Sequence, residues 1–237
     1  MKDRTLLVLQ ALIEDFIATA NPIASQRLLE SHNFNISSAT IRNEFSVLEE
    51  VGLIESPHIS AGKIPTEKGY RFFVDEMLSD PTSREKKVAQ IFQKHVEEYR
   101  FSKSKESFFD AVRLIARLSQ NVAFMSIEND QTFYIGFSHV LRSPEFLYHP
   151  EKSAQILEVL EGRDRFQSLL SGIDTPDGEV KIFIGEENLL EEISSCSLLV
   201  ARIQTPFVSG HLGILGPMRM DYGFNKALLE NSLSLVL

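Results

Sequence analysis

Between Ser37 and Arg71 the chain gathers side chains that bond the edges of nucleobases and the oxygens of phosphates. Arg42 presents a planar fork that fits the two acceptors of a guanine edge, and the neighbouring Asn43 can give and accept at an adenine edge. Each such bidentate pair discriminates by about 1–3 kcal/mol. Ser37, Ser38, Ala39, Thr40 and Ser46 surround that pair in sequence, and His58, Ser60, Lys63, Lys68 and Arg71 follow. From Pro57 to Arg71 there are three basic side chains besides His58 and a single acid, Glu67. Hydroxyls, amides and cations in this mixture suit readout of a duplex, in which phosphate contacts position and base contacts specify.

Catalytic chemistry is harder to assemble. The histidines at 32, 58, 95, 139, 149 and 211 form no pair at metal-ligand spacing, and Cys196 has no companion cysteine. Cys196 with His211 would make a thiol and a base, yet Ser194 to Ser197 leads into an apolar run, which favours a buried structural cysteine. Gly210, Gly213 and Gly216 match neither phosphate-binding glycine pattern and read as strand positions and a turn. No enzyme activity, cofactor or metal is expected. Arg219 and Asp221 are the remaining polar candidates: Asp221 is placed to cap the last helix, and Arg219 to hold that cap or line a cleft.

The elements that would position the first set follow from periodicity. Leu6, Leu9, Ile13, Phe16 and Ile17 recur at helical spacing over residues 3–19, with Asp3 as N-cap and Asn21-Pro22 as stop. A short helix is expected over 25–31. A third begins at Ser37 or Ser38 and ends at Gly52, with Ile41, Phe45, Leu48 and Val51 as its buried stripe. Geometry then turns Ser38, Ala39, Arg42, Asn43 and Ser46 away from the core. Residues 53–56 and 64–66 read as two short strands around a Ser60–Lys63 turn, placing Lys63 at the tip of a wing, and Thr66 caps the helix that follows. Three helices and a wing in this order form a winged helix-turn-helix, most often a DNA reader.

The rest reads as an α/β domain. Helices are expected over 84–99, 105–119, 151–161, 164–170, 186–193 and 222–236, and strands over 122–127, 132–137, 179–184, 198–203 and 210–215. The division is a winged-helix domain over 1–79, a linker over 80–84 and an α/β domain over 85–237. The 237 residues carry a net charge of -9, and residues 1–80 hold seven basic side chains against twelve acidic ones. A locally basic face on an acidic body still binds DNA while its repulsion suppresses non-specific binding. No apolar run approaches a membrane span, and one cysteine suits a reducing cytoplasm, so a cytoplasmic protein without membrane contact is expected.

SSATIRNE at 37–44 and LEEVGLIESPHISAGKIPTEKGYRFFVD at 48–75 resemble the N-terminal domain of the HrcA family of bacterial heat-inducible transcription repressors. GPMRMDY at 216–222 is similar to that family's GPTRMDY segment, and Ser143-Pro144-Glu145-Phe146 to its QPEF stretch. The resemblance implies an α+β protein, a winged helix followed by a GAF-like domain, that represses chaperone operons through an inverted-repeat operator on double-stranded DNA. It also implies a groEL-type chaperonin as partner. Lys63 stands where the family has arginine, and Met218 where it has threonine. The dimerising domain that the family inserts appears nowhere: only Glu128–Gln131 joins the two strand-like runs at 122–127 and 132–136.

Two half-sites call for a homodimer, since a single winged helix rarely reaches specific affinity. The helices of 84–119 and the apolar C-terminal helix are its candidate surfaces. The alternative function is a winged-helix protein-interaction module with a regulatory GAF-like domain that has lost operator binding, a reading favoured by the acidic balance of residues 1–80.

Overall fold

A computed structural model describes residues 2–58, 61–78, 81–96, 105–128, 131–205 and 208–236. Contacts divide the chain into two units, Met1–Ser79 and Asp80–Leu237.

In the first unit α1 (Asp3–Thr19), α2 (Ser25–Ser31) and α3 (Ser38–Glu50) precede a two-stranded wing, β1 (Ile54–Glu55) and β2 (Ile64–Pro65), and then α4 (Glu67–Phe72), which runs into a π-helical turn over Phe73–Met77. Val8, Leu9, Leu12, Ile13, Ile23, Leu28, Ile41, Leu48, Ile54 and Phe73 are fully buried and form the core on which the helices close. Ser37 caps α3 by accepting from the Thr40 amide, and Thr66 caps α4 by accepting from Gly69, each worth about 1 kcal/mol. Gly52 follows α3 at φ +74°, the left-handed position that ends helices. The cap expected of Asp3 is not made: Lys2 occupies the N-cap without a side-chain bond, and Asp3 lies inside the first turn, where its charge still favours the helix dipole. Val51 also departs from its expected place, 42% exposed, because α3 ends at Glu50 and the stripe ends with it.

The second unit is a five-stranded antiparallel sheet in the order β4-β3-β7-β6-β5, with β3 Val122–Ile127, β4 Thr132–Ile135, β5 Val180–Ile184, β6 Cys196–Gln204 and β7 Ser209–Pro217. One face, carrying Ala123, Met125, Leu199, Ala201, Leu212 and Ile214, lies under α6 (Lys105–Ser119) and α11 (Tyr222–Val236), and α5 (Pro81–Val96) packs on α11. The other face, with Val122, Phe124, Leu198, Val200 and Leu215, packs against α9 (Pro150–Glu161) and α10 (Arg163–Ser171). Burial on both faces explains why these strands read as continuous apolar runs. A winged helix followed by a GAF-like α/β unit is the α+β fold expected.

Local differences have local causes. Helix α5 starts at Pro81, inside the expected linker, because proline's fixed φ suits the first helical position. The helix expected over 186–193 is two 3-10 turns, Gly185–Glu187 and Glu191–Ile193, on either side of Asn188. The buried Asn188 amide donates to the carbonyls of Gly185, Ile193 and Cys196, which fixes a turn where periodicity suggested a helix. Two short helices, α7 (Phe137–Leu141) and α8 (Pro144–Leu147), fill a stretch without helical expectation. Gly210, Gly213 and Gly216 all lie within β7, without the turn expected among them. Strands β3 and β4 pair antiparallel from Ala123↔Ile135 to Ser126↔Thr132, so this joint is a hairpin.

Candidate nucleic-acid interface

Helix α3 is held against α1 by a carboxylate. Glu44 sits on its inner face, its side chain 7% exposed, and accepts from Thr5 Oγ1 at 2.7 Å and from Arg4 Nε at 2.7 Å. The Thr5 hydroxyl and then the Arg4 guanidinium hold the Glu44 carboxyl below its ordinary value of 4.5, against the opposing effect of burial. With Ile41, Phe45 and Leu48 also buried, the orientation of α3 is fixed and its other face must point outward.

On that outer face Ala39, Arg42, Asn43 and Ser46 are exposed. Neither the Arg42 guanidinium nor the Asn43 amide has a partner among the described residues, so both are available in the first two turns of the helix. The hydroxyls around them are committed to structure. Ser37 Oγ serves the cap and lies 3.0 Å from Thr40 Oγ1, Ser38 Oγ lies 3.0 Å from Ser25 Oγ on α2, and Ser46 Oγ donates to the Arg42 carbonyl.

The expected basic wing is reorganised. Lys63 is not at a tip: its amide and carbonyl exchange 2.9 Å bonds with Ile23 at the α1–α2 junction. A Cβ at Gly62 would come within 2.5 Å of the Ile23 backbone, so only glycine allows that approach. The Lys63 ammonium lies 2.5 Å from Glu49 Oε2 and 2.7 Å from Ser56 Oγ, its side chain 19% exposed. Lys68 Nζ donates to the Val51 carbonyl just past the end of α3 at 2.8 Å, and Arg71 pairs with Asp75 at 3.2 Å. His58 is exposed, and Ser60 lies outside the described residues.

In the second unit Asp221 accepts from the Phe224 amide at 2.9 Å and caps α11. Arg219 does more than hold a cap: it grips Glu145 with Nε at 2.5 Å and Nη2 at 3.3 Å, joining α8 to the segment before α11. The Tyr222 hydroxyl donates to the Met218 carbonyl at 2.5 Å and lies 2.8 Å from Ser197 Oγ. Cys196 is fully buried, and burial pushes its thiol up to about 12. It pairs with Pro217 at one end of the β6–β7 ladder whereas His211 pairs with Arg202 near the other, so they form no dyad.

Glu44, Thr5, Arg4, Glu49, Ser56 and Glu145 were missed as supporting residues by sequence reasoning. Glu44 had a signal, since it falls three residues after Ile41 and four before Leu48, on the buried stripe itself. The others are set by contacts between different elements, from seven to 74 residues apart, which helical or strand spacing does not encode.

A buried helix that turns a free arginine and asparagine outward, followed by a short wing and joined to a sheet-and-helix unit, is the architecture of a winged-helix transcription regulator. The chain belongs to the HrcA family: the model for the HrcA protein C-terminal domain matches residues 74–224. It is 26% identical to the heat-inducible transcription repressor HrcA of Ruminiclostridium cellulolyticum, over 94% of this chain and 92% of that protein. Against the HrcA of Mycolicibacterium gilvum the identity is 32% over 98% of this chain and 65% of the relative. The Ruminiclostridium alignment spans 322 positions and this chain has 237 residues, so at least 85 positions of that relative have no counterpart here. A solved structure described as a hypothetical protein shares the fold, with TM-score 0.80 at 18% identity over 100% of this chain and 98% of that one. The chain is thus a heat-inducible type of transcription repressor, and no described helix is long and apolar enough to cross a membrane.

Proposed function

We propose that this repressor acts in the cytoplasm by binding, as a homodimer, an inverted-repeat operator ahead of chaperone genes, with residues 1–79 as the reading domain and 85–237 as the pairing and control domain. The observation that carries the reading is the outward pair Arg42 and Asn43, exposed and unpartnered on a helix whose opposite face is locked by Glu44. Arg42 reads a guanine and Asn43 an adenine, while Ala39 leaves room for a base edge or a thymine methyl. Ser37, Ser38, Thr40 and Ser46 shape the surface around them, and His58, Ser60, Lys63, Lys68 and Arg71 make up the wing side.

The test is binding of the full chain to a duplex carrying the family's inverted repeat, followed by fluorescence anisotropy over a salt series, with the mass of the complex measured by light scattering. Two chains per duplex, with affinity that falls steeply as salt rises, is the expected result. Equal affinity for a scrambled duplex would overturn the reading. The family resemblance makes a groEL-type chaperonin the controlling partner, and adding that chaperonin should raise operator occupancy.

A second reading, a winged helix that contacts protein instead of DNA, is favoured by the acidic balance of residues 1–80 and by the self-pairing of Lys63, Lys68 and Arg71. Absence of any complex at low salt would select it.

A further inference from the structure

The wing lysine faces the protein. Its ammonium bonds Glu49 in the last turn of α3 and Ser56 just after β1, and Ser56 Oγ also donates to Glu49 Oε1 at 3.3 Å. These three side chains close a ring between the end of the recognition helix and the foot of the wing. Lys63's own backbone closes a second link, to Ile23. To reach a phosphate the lysine would have to release Glu49, whose carboxylate, 42% exposed, would then stand uncompensated on the helix presented to DNA. An exposed ion pair contributes little to folding, whereas an uncompensated carboxylate near a polyanion opposes binding directly.

We propose that Lys63 is a clamp that masks Glu49 and fixes the wing to the end of α3, and that it supports operator binding without contacting DNA. This rests on the operator-binding reading. It also locates the wing's sequence-neutral contribution: Lys63 removes a repulsion instead of adding an attraction. The two mechanisms differ in two observables. A phosphate contact, when lost, lowers the salt slope by about one unit. A clamp, when lost, exposes a carboxylate whose removal repairs the damage.

The experiment uses the full chain as wild type, Lys63→Met, Glu49→Gln and the double variant, with operator affinity measured over a salt series and folding checked by circular dichroism. Lys63→Met keeps the aliphatic stem and the backbone bridge. The clamp predicts a several-fold loss of affinity in Lys63→Met with an undiminished salt slope, and recovery to within about twofold of wild type in the double variant. A slope reduced by about one unit, with no recovery, would overturn the clamp while leaving operator binding intact. Wild type that fails to prefer the inverted repeat would overturn both. A readout without DNA runs alongside: the Glu49 carboxyl, held low chiefly by its bond to Lys63, should titrate higher in Lys63→Met when followed by NMR. An unmoved titration would also overturn the clamp.

Discussion

Arg42 and Asn43 stand exposed in the first two turns of α3 with no side-chain partner among the described residues, whereas the hydroxyls and the Glu44 carboxylate around them are bonded within the fold. Replacing either with alanine removes no internal bond, so the fold should be retained while operator affinity drops by about 1–3 kcal/mol and selectivity relaxes at one base position. Competition between operator duplexes altered at single positions measures this. Glu44→Ala should act in the opposite sense, damaging stability before recognition, because it strands the buried Thr5 hydroxyl and releases Arg4, at a cost of about 1–3 kcal/mol. The same carboxylate gives a pH signature. Its folded-state pKa is lowered, so its stabilisation is present above the ordinary value of 4.5 and is lost as pH falls below it. Thermal melts of wild type and Glu44→Gln should therefore converge as pH falls through that region. At this scale the sequence was partly legible. Arg42 and Asn43 could be turned outward from the apolar spacing alone, but a lysine's partner could not, since Glu49 lies fourteen residues from Lys63 and the bond depends on how the wing folds back.

Among the elements, the wing and α8 are the pieces whose geometry depends most on distant residues. Gly62→Ala should disrupt the Ile23–Lys63 bridge, because the added carbon would meet backbone, which cannot swing aside as a side chain would. Limited proteolysis that cuts the wing of the variant well before the rest of the unit would register it. Arg219 ties α8 to the start of α11 through a bidentate pair with Glu145. Arg219→Lys should recover only part of the melting temperature lost in Arg219→Ala, since an ammonium cannot reproduce the planar fork. Two short motifs that are 74 residues apart in the chain are therefore one structural object. Spacing legibly placed α1, α3, α9, α11 and the strands, where a full stripe or a continuous apolar run announces burial. It failed over 137–147 and 186–193, where the segments are too short to show a period and a single buried asparagine decides the backbone.

For the whole molecule, the β3–β4 hairpin raises the question of how two copies meet. At least 85 positions of the Ruminiclostridium relative are without counterpart, so a pairing mode that used them is not open to this chain. A dimer would have to form on surfaces that the two units already possess, and light scattering with and without operator should show whether DNA is needed to bring the copies together.

Cys196 is the chain's single cysteine, fully buried in β6, with its thiol pushed up to about 12. Burial keeps the thiol protonated at neutral pH, and the protonated form is a poor nucleophile. A cysteine so placed is a poor peroxide sensor, and these 237 residues hold no second thiol with which it could form a disulfide. A signal that relieves repression would therefore have to reach this chain by a route other than its thiol.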